Sequence, residues 1–531
     1  MRTTILTLTA VILLTTTAAA QNTLEVVWIG YGEGPLNYYG AGATGGDFNN
    51  DGFSDVLIGA GGWGNIGGND AIGKDYLYLG SPDFFDTASY FFTGDTASDG
   101  FDWDVCNVSD VSGDQIQDFL IPGAGAAYYR GGGYVDIFYG GPQLDTIPDF
   151  QIKKHNVSGE DFFGWQADSA GDVNGDGWSD VVVSGVIYDI NSAYIEIYFG
   201  GPNLDTLADW HYSSLGTNQP IKVNGLGDVN GDGFDDILAY RQYGIYPEHE
   251  PGKIFFGGSP MDTIPDLEFY PYALSAAGVG DVNDDGFSDV AIGDWDQGQR
   301  IYFGGVNMDT IPDVALQGYF GPSIAGSDGL TCGDFNGDGI SDIIADGDYG
   351  GIVLYLGSPW FNGVPEWWYS EFWMVLDGIT VNGVGDVNGD GCDEFVLGFP
   401  YYDNMSWMNV GKAYLFAGNP DLVDLGAPVE PGELSHIPGW YKLDQNFPNP
   451  FNASTTIHFE LGKLSTVNMT IFDLAGNKIR ELIKSQEMRP GGYNVSWSGR
   501  NQFNQPISSG IYILELQVDQ FKETRKMVLI R

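Results

Sequence analysis

Along the first 420 residues of this 531-residue chain, apolar positions come in short runs, each followed by a turn rich in Gly, Asp or Asn. Two kinds of run alternate. One follows an acidic loop (DVLIG, DVVVS, DILAY, DVAIG, DIIAD, EFVLG), and the other recurs as YLYLG, VDIFYG, IEIYFG, KIFFG, RIYFG, IVLYLG and AYLFAG. Short runs of β-branched and aromatic residues between turn formers predict strands. A connector comes next, LDTIPD at 144–149, LDTLAD at 204–209 and MDTIPD at 261–266 and 308–313, and leads to a further apolar run such as DWHY, DLEFY or EWWYS. The repeating unit is therefore a first strand, a second strand ending in Gly-Asp, an acidic loop, then a third and a fourth strand. Seven such units predict an all-β fold, a seven-bladed β-propeller.

The acidic loops are the most regular feature. They begin at Asp47, Asp110, Asp172, Asp228, Asp281, Asp334 and Asp386, at intervals of 63, 62, 56, 53, 53 and 52 residues. In the third, DVNGDGWSD, oxygen-bearing side chains occupy the first, third, fifth and ninth positions: Asp172, Asn174, Asp176 and Asp180. Gly177 at the sixth allows the positive φ of a tight wrap, and the carbonyl of Trp178 is a natural fifth ligand. This donor set suits calcium, which takes about six to eight oxygens in irregular geometry. Four loops repeat it: Asp47, Asn49, Asp51 and Asp55; Asp228, Asn230, Asp232 and Asp236; Asp281, Asn283, Asp285 and Asp289; Asp334, Asn336, Asp338 and Asp342. The seventh has Asp386, Asn388, Asp390 and the longer Glu394, which predicts binding with altered geometry. The second keeps Asp110, Asp114 and Asp118 but has Ser112 at the third position and Gln115 where Gly belongs. A Gln at positive φ is sterically costly, so this is the weakest of up to seven calcium sites. An EF-hand is excluded, because the twelfth position is apolar in place of a bidentate Glu. The expected role is structural: seven near-identical sites are not seven active sites, and a cation held only by the folded form stabilises it.

Net charge is −51 and unevenly spread: residues 441–531 hold 11 Lys and Arg against 8 Asp and Glu, the rest 10 against 64. Nucleic acid is excluded as a partner of so acidic a chain, since phosphate contacts need Lys and Arg. Three cysteines (Cys106, Cys332, Cys392) make no disulfide framework and are expected to be buried free thiols. Residues 1–20 have Arg2, a short apolar core and small residues before Gln21, the pattern of a secretory signal peptide. That core is too short to span a bilayer, and no longer apolar run follows, so no transmembrane segment is expected. Residues 421–440, punctuated by Pro and Gly, read as a linker between residues 21–420 and a C-terminal domain at 441–531. In that domain the runs TTIHFEL, VNMTIFDL, YNVSWSG, IYILELQV and KMVLI predict a small immunoglobulin-like β-sandwich.

Two family resemblances follow. The GDxNGDGxxD loops, Phe163-Gly164 before a second strand, and the small-residue turns Gly59-Ala60 and Gly398-Phe399-Pro400 resemble the FG-GAP repeat of the integrin α-subunit propeller over roughly residues 24–420. The FG element is absent before the fourth and fifth loops. This resemblance implies that the strand at 24–29 completes the last blade and closes the ring, hiding two edges. QNFPNPFNAST (445–455), FDLAGNKIREL (472–482), SGIYILEL (509–516) and RKMVLIR (525–531) resemble the C-terminal sorting domain of the type IX secretion system, with Ala453 and Ser498 departing from its usual Pro and Asp. The second resemblance implies contact with the type IX machinery and a secreted or outer-cell-surface location.

No catalytic motif stands out. His155, His211, His249, His436 and His458 lack metal-ligand spacing, and HExxH, GxSxG and phosphate loops are missing. The chain reads as no enzyme. The connections between third and fourth strands lie opposite the acidic loops, vary in sequence, and carry aromatic and Arg residues of the kind enriched at recognition surfaces. Tyr128, Tyr129, Arg130, Tyr243, Trp295, Tyr401 and Trp407 are the candidates to hold an extracellular glycan or protein ligand. The primary reading is an adhesion or ligand-binding module. The alternatives are a purely structural surface-layer component and a secreted hydrolase.

Overall fold

The computed structural model describes residues 24–422 and 441–530 apart from 64–71, 85–86, 95–104, 124–132, 154–160, 188–189, 216–219, 242–250, 270–274, 295–297, 317–329, 348–350, 371–378, 404–407, 444–445, 447–448, 450, 453, 462–464, 474–477, 489–490, 503–504, 506 and 519–520. The chain divides into two compact units, Met1–Ala427 and Pro428–Arg531. The signal-like residues 1–20, the 421–440 linker beyond Leu422, and six of the seven candidate ligand residues (Tyr128, Tyr129, Arg130, Tyr243, Trp295, Trp407) lie outside the described residues.

The described part of the first unit contains seven four-stranded antiparallel sheets. Their innermost strands are, in order, Ala43–Gly46, Cys106–Ser109, Asp161–Gly171, Lys222–Gly227, Ser275–Gly280, Leu330–Gly333 and Thr380–Gly385. Each packs on the next, and Thr380–Gly385 packs back on Ala43–Gly46, so the sheets close a propeller-like ring. The core is divided in the same way. Seven apolar clusters each join two neighbouring sheets, as Phe48, Leu57, Phe119 and Phe138 do between the first and second. A fully buried Phe such as Phe119 contributes about 2–3 kcal/mol of transfer free energy. Period-two burial is lost from most second and third strands, where Asp55–Gly59 and Lys74–Tyr78 are buried throughout because neighbouring sheets cover both faces; Gly298–Tyr302 still alternates at its start.

The last sheet is completed from the other end of the unit. Glu25–Tyr31 pairs antiparallel with Lys412–Ala417, from Glu25 opposite Ala417 to Tyr31 opposite Lys412. The expected closing strand is therefore present. Each other sheet takes as its outermost strand the first strand of the following repeat, such as Trp210–Leu215 in the third sheet. The three cysteines are free, yet only Cys392 is fully buried; Cys106 and Cys332 sit half-buried on inner strands.

Four of the connectors after the fourth strands are braced by the same pair of side-chain bonds. In the second sheet Asp145 Oδ1 accepts the Ile147 N–H at 2.8 Å, and Asp149 Oδ2 accepts that of Tyr139 at 2.9 Å. The same pair of bonds recurs at Asp205 and Asp209, Asp262 and Asp266, and Asp309 and Asp313. The first connector residue (Leu144, Leu204, Met261, Met308) tucks against an inter-sheet cluster, while the fourth points to solvent.

In the second unit, Tyr441–Leu443, Thr455–Leu461 and Gly491–Trp497 form one sheet, and Lys478–Met488, Ser465–Asp473, Gly510–Val518 and Phe521–Leu529 form another. One core containing Ile457, Phe459, Ile471, Trp497, Leu514 and Met527 draws on both. Lys478–Met488 is a strand that the apolar pattern does not reveal. It is an edge strand whose pairing is broken three times by bulges, so charge is tolerated along most of it.

Candidate metal centre

Each acidic loop is wound around its first carboxylate. In the third, Asp172 Oδ1 accepts the N–H groups of Gly175 and Asp176 at 2.8 and 2.9 Å, and Oδ2 accepts that of Gly177 at 2.8 Å. Asp110, Asp228 and Asp386 accept the same three bonds, and Asp47, Asp281 and Asp334 those from the fifth and sixth positions. The fifth-position Asp caps the seventh N–H, as Asp176 does for Trp178 at 3.2 Å. Gly177 has φ +94° with open space where a Cβ would stand, so only the backbone angle demands Gly there. Gln115 takes φ +73° at that position, so the second loop keeps the shared wrap at a conformational cost.

The ninth residue points inward. Asp180, with no exposure, accepts the Val173 N–H at 3.1 Å and, across the sheet, that of Gly200 at 2.9 Å. Burial raises these carboxyls: Asp118 to about 6, Asp55, Asp236 and Asp289 to about 7, and Asp180, Asp342 and Glu394 to about 8. Loss of hydration is the main cause, opposed by the backbone donors and, in most loops, aided by the neighbouring first- and fifth-position carboxylates.

Neighbouring loops are latched together. The carbonyl of each first residue but Asp47 accepts the eighth-position N–H of the following loop, as Asp172 does from Asp235 at 3.1 Å and Asp386 from Ser54 at 2.9 Å. At Asp47 the link is a side chain, with Gln117 Oε1 accepting the Asp47 N–H at 2.7 Å. The hydrogen-bonded chain of loops thus runs around the whole ring. The seventh residue of a following loop covers the fourth-position glycine, Phe234 over Gly175 and Cys392 over Gly337.

These loops supply oxygen ligands, and no ion pair to them is seen among the described residues. Among the described residues the ion pairs lie elsewhere, such as Lys74–Glu33 at 2.8 Å and Lys522–Glu515 at 2.9 Å. In the seventh loop Asn388 Nδ2 sits between Asp390 Oδ2 at 2.9 Å and Glu394 Oε1 at 3.1 Å, an amide donor where positive charge is wanted. In the first loop Asn49 Oδ1 is buried and accepts no hydrogen bond, an oxygen available to a cation. Among the described residues, no three His, Cys, Asp or Glu side chains are gathered into a preformed cluster. The donor types fit calcium, and the carboxylates are held by backbone N–H groups and not by one another.

On the opposite face only Tyr401 of the candidate ligand residues is described; it is 41% exposed and meets Tyr38 edge-to-face at 5.6 Å. The structure adds companions that sequence reading missed. Lys412 Nζ stands 3.9 Å from the Tyr414 ring, 5.2 Å from Tyr402 and 5.9 Å from Tyr31. Leu36 and Tyr38 donate backbone bonds to Met408 and Asn409 at 2.9 and 3.1 Å. Residues so far apart in sequence meet only because the first strand closes the last sheet.

A closed ring of four-stranded sheets with acidic loops at its inner hairpins, together with a smaller all-β unit, defines a propeller-like repeat protein with an appended β-domain. Comparison with known proteins sharpens this. Residues 445–530 match the secretion system C-terminal sorting domain. The chain is similar to Integrin alpha-PS5 of Drosophila melanogaster, 29% identical over 170 residues, covering 28% of this chain and 17% of that one. It is also similar to Integrin alpha-5 of Xenopus laevis, 28% identical over 164 residues, covering 28% and 15%. The match thus spans less than a fifth of either integrin. Among solved structures, PorZ, an essential bacterial surface component of the type-IX secretion system of Porphyromonas gingivalis, aligns at TM-score 0.29 and 14% identity, over 91% of this chain and 58% of that one. BBS1N, solved in complex with ARL6DN, aligns at TM-score 0.44 and 11% identity, over 74% and 97%. Likenesses at that level support no functional inference. Both resemblances seen in the sequence hold: the chain is related to the FG-GAP-containing integrin α chains and carries a type IX sorting tail, so it is a secreted or cell-surface protein. No helix among the described residues is long and apolar enough to cross a membrane.

Proposed function

We propose that residues 21–420 form a seven-bladed FG-GAP propeller, stabilised by calcium at its acidic loops, that serves as a non-enzymatic adhesion or ligand-binding module. Residues 441–531 are then an immunoglobulin-like sorting sandwich that engages the type IX machinery, with residues 1–20 as signal peptide and 421–440 as linker. The observation that carries this reading is the sevenfold recurrence of one wrapped, acid-rich loop with no Lys or Arg ion pair among the described residues. Carboxylates sharing one short loop repel one another, as Asp172 and Asp176 do Asp180, and a counter-ion relieves that repulsion. Asp172, Asn174, Asp176 and Asp180, and their counterparts in the other loops, are the residues to hold it; the bound ion supplies charge neutralisation.

The cluster of Tyr31, Tyr38, Tyr401 and Tyr402, packed over the buried Lys412, supports a recognition role for the opposite face, because Tyr is enriched at binding hot spots. An extracellular glycan or protein is the expected ligand. Calcium titration of the chelator-treated chain by calorimetry, followed by glycan and protein arrays with calcium present, tests both halves. Absence of calcium binding removes the metal half. Calcium binding without any array ligand favours a purely structural surface component.

A further inference from the structure

We propose that the rim of connectors on the acidic-loop side docks on a zwitterionic bilayer surface through four aliphatic tips: Ile147, Leu207, Ile264 and Ile311. These side chains are 70%, 73%, 70% and 70% exposed. Single exposed aliphatic residues are ordinary. Here the same position is exposed in four consecutive sheets, and the turn that displays it is braced each time by two Asp-to-backbone bonds and anchored by an inward-facing first residue. Presenting such a tip to a partner therefore orders nothing new.

Two features select a lipid surface over a protein. The four tips recur at the same connector position on successive sheets of one closed ring, an arrangement suited to an extended partner. The tips are also aliphatic, whereas protein hot spots favour Trp, Tyr and Arg. Charge selects the headgroup. Each tip lies between two Asp residues, as Ile147 lies between Asp145 and Asp149, and none of these Asp residues is among the proposed calcium ligands. Ammonium-bearing zwitterionic headgroups complement that rim, and net anionic lipid is repelled. The surface is at the other end of the sheets from the aromatic ligand face, so it is independent of that reading.

The test is flotation of the full chain with phosphatidylethanolamine–phosphatidylcholine vesicles, in calcium-containing buffer throughout. Binding is expected, and it should weaken as phosphatidylglycerol is added. The I147S/L207S/I264S/I311S variant should lose about a hundredfold in partitioning, and I264W should gain. Should the quadruple variant fail to fold, I147S/I264S, with about a tenfold loss expected, carries the test. Failure to bind zwitterionic vesicles, equal binding by the variants, or binding confined to anionic vesicles overturns the proposal. Calcium titration of the same variants is expected to be unchanged, so either proposal can fail alone.

Discussion

The two ends of the same seven sheets are built on different principles. At one end the hairpins are near-copies: each winds around an Asp at its first position, buries a carboxylate at its ninth, and bonds to the next around the ring. At the other end the hairpins differ in length and composition, and the described contacts are particular to one place in the ring, such as Tyr38 with Tyr401 and Leu36 with Met408. A uniform end that joins neighbour to neighbour does structural work, whereas a variable end is free to acquire a specific partner. The contrast teaches that repetition marks what holds the ring, and variation marks what the ring displays.

Removing divalent cations should have the largest effect and should act on the uniform end alone. Chelation is expected to lower the thermal midpoint by more than about 10 °C, with calcium restoring it, since several sites lose ligand-linked stabilisation together. An unchanged midpoint would count against a structural metal role. Next in size is Asp172→Ala, which leaves three backbone N–H groups without their acceptor and should cost about 3 kcal/mol by denaturant titration. On the other face, Tyr401→Ala should change stability by less than about 0.5 kcal/mol while weakening ligand capture on the arrays. Equal losses from the two substitutions would erase the distinction between the ends.

A pH series sharpens it. Ninth-position carboxyls such as Asp180 and Asp342, raised to about 8 by burial, hold their protons more tightly folded than unfolded. Folding of the metal-free chain therefore takes up protons, and its stability falls as pH rises from about 4 through the folded values. In chelator the midpoint should thus be higher at pH 6 than at pH 8. With calcium in excess the trend should flatten or reverse, because protons compete for the ligands. A small gain is expected from Gln115→Gly, which relieves the φ +73° strain and should add about 0.5–1 kcal/mol while strengthening the second site in calorimetric titration.

Much of this was legible in the chain. Strand after strand appears where an apolar run meets a turn, because a sheet buried on both faces needs nothing but a short apolar or β-branched stretch, as Asp180–Ile187 shows. The loops were legible because their wrap is local: a carboxylate reaches N–H groups three to five residues on. Lys478–Met488 was not, since an edge strand is defined by its neighbour and not by its own pattern.

The sequence alone determined the seven units, their oxygen-rich loops and the sorting tail, all of which depend on residues near one another along the chain. Tertiary structure alone decided which residues share a surface: Tyr31 beside Tyr402, Gln117 against Asp47, and Asp235 against Asp172. Those contacts join positions separated by tens to hundreds of residues. They exist because closing the ring brings each sheet against the next, a condition that no local stretch encodes.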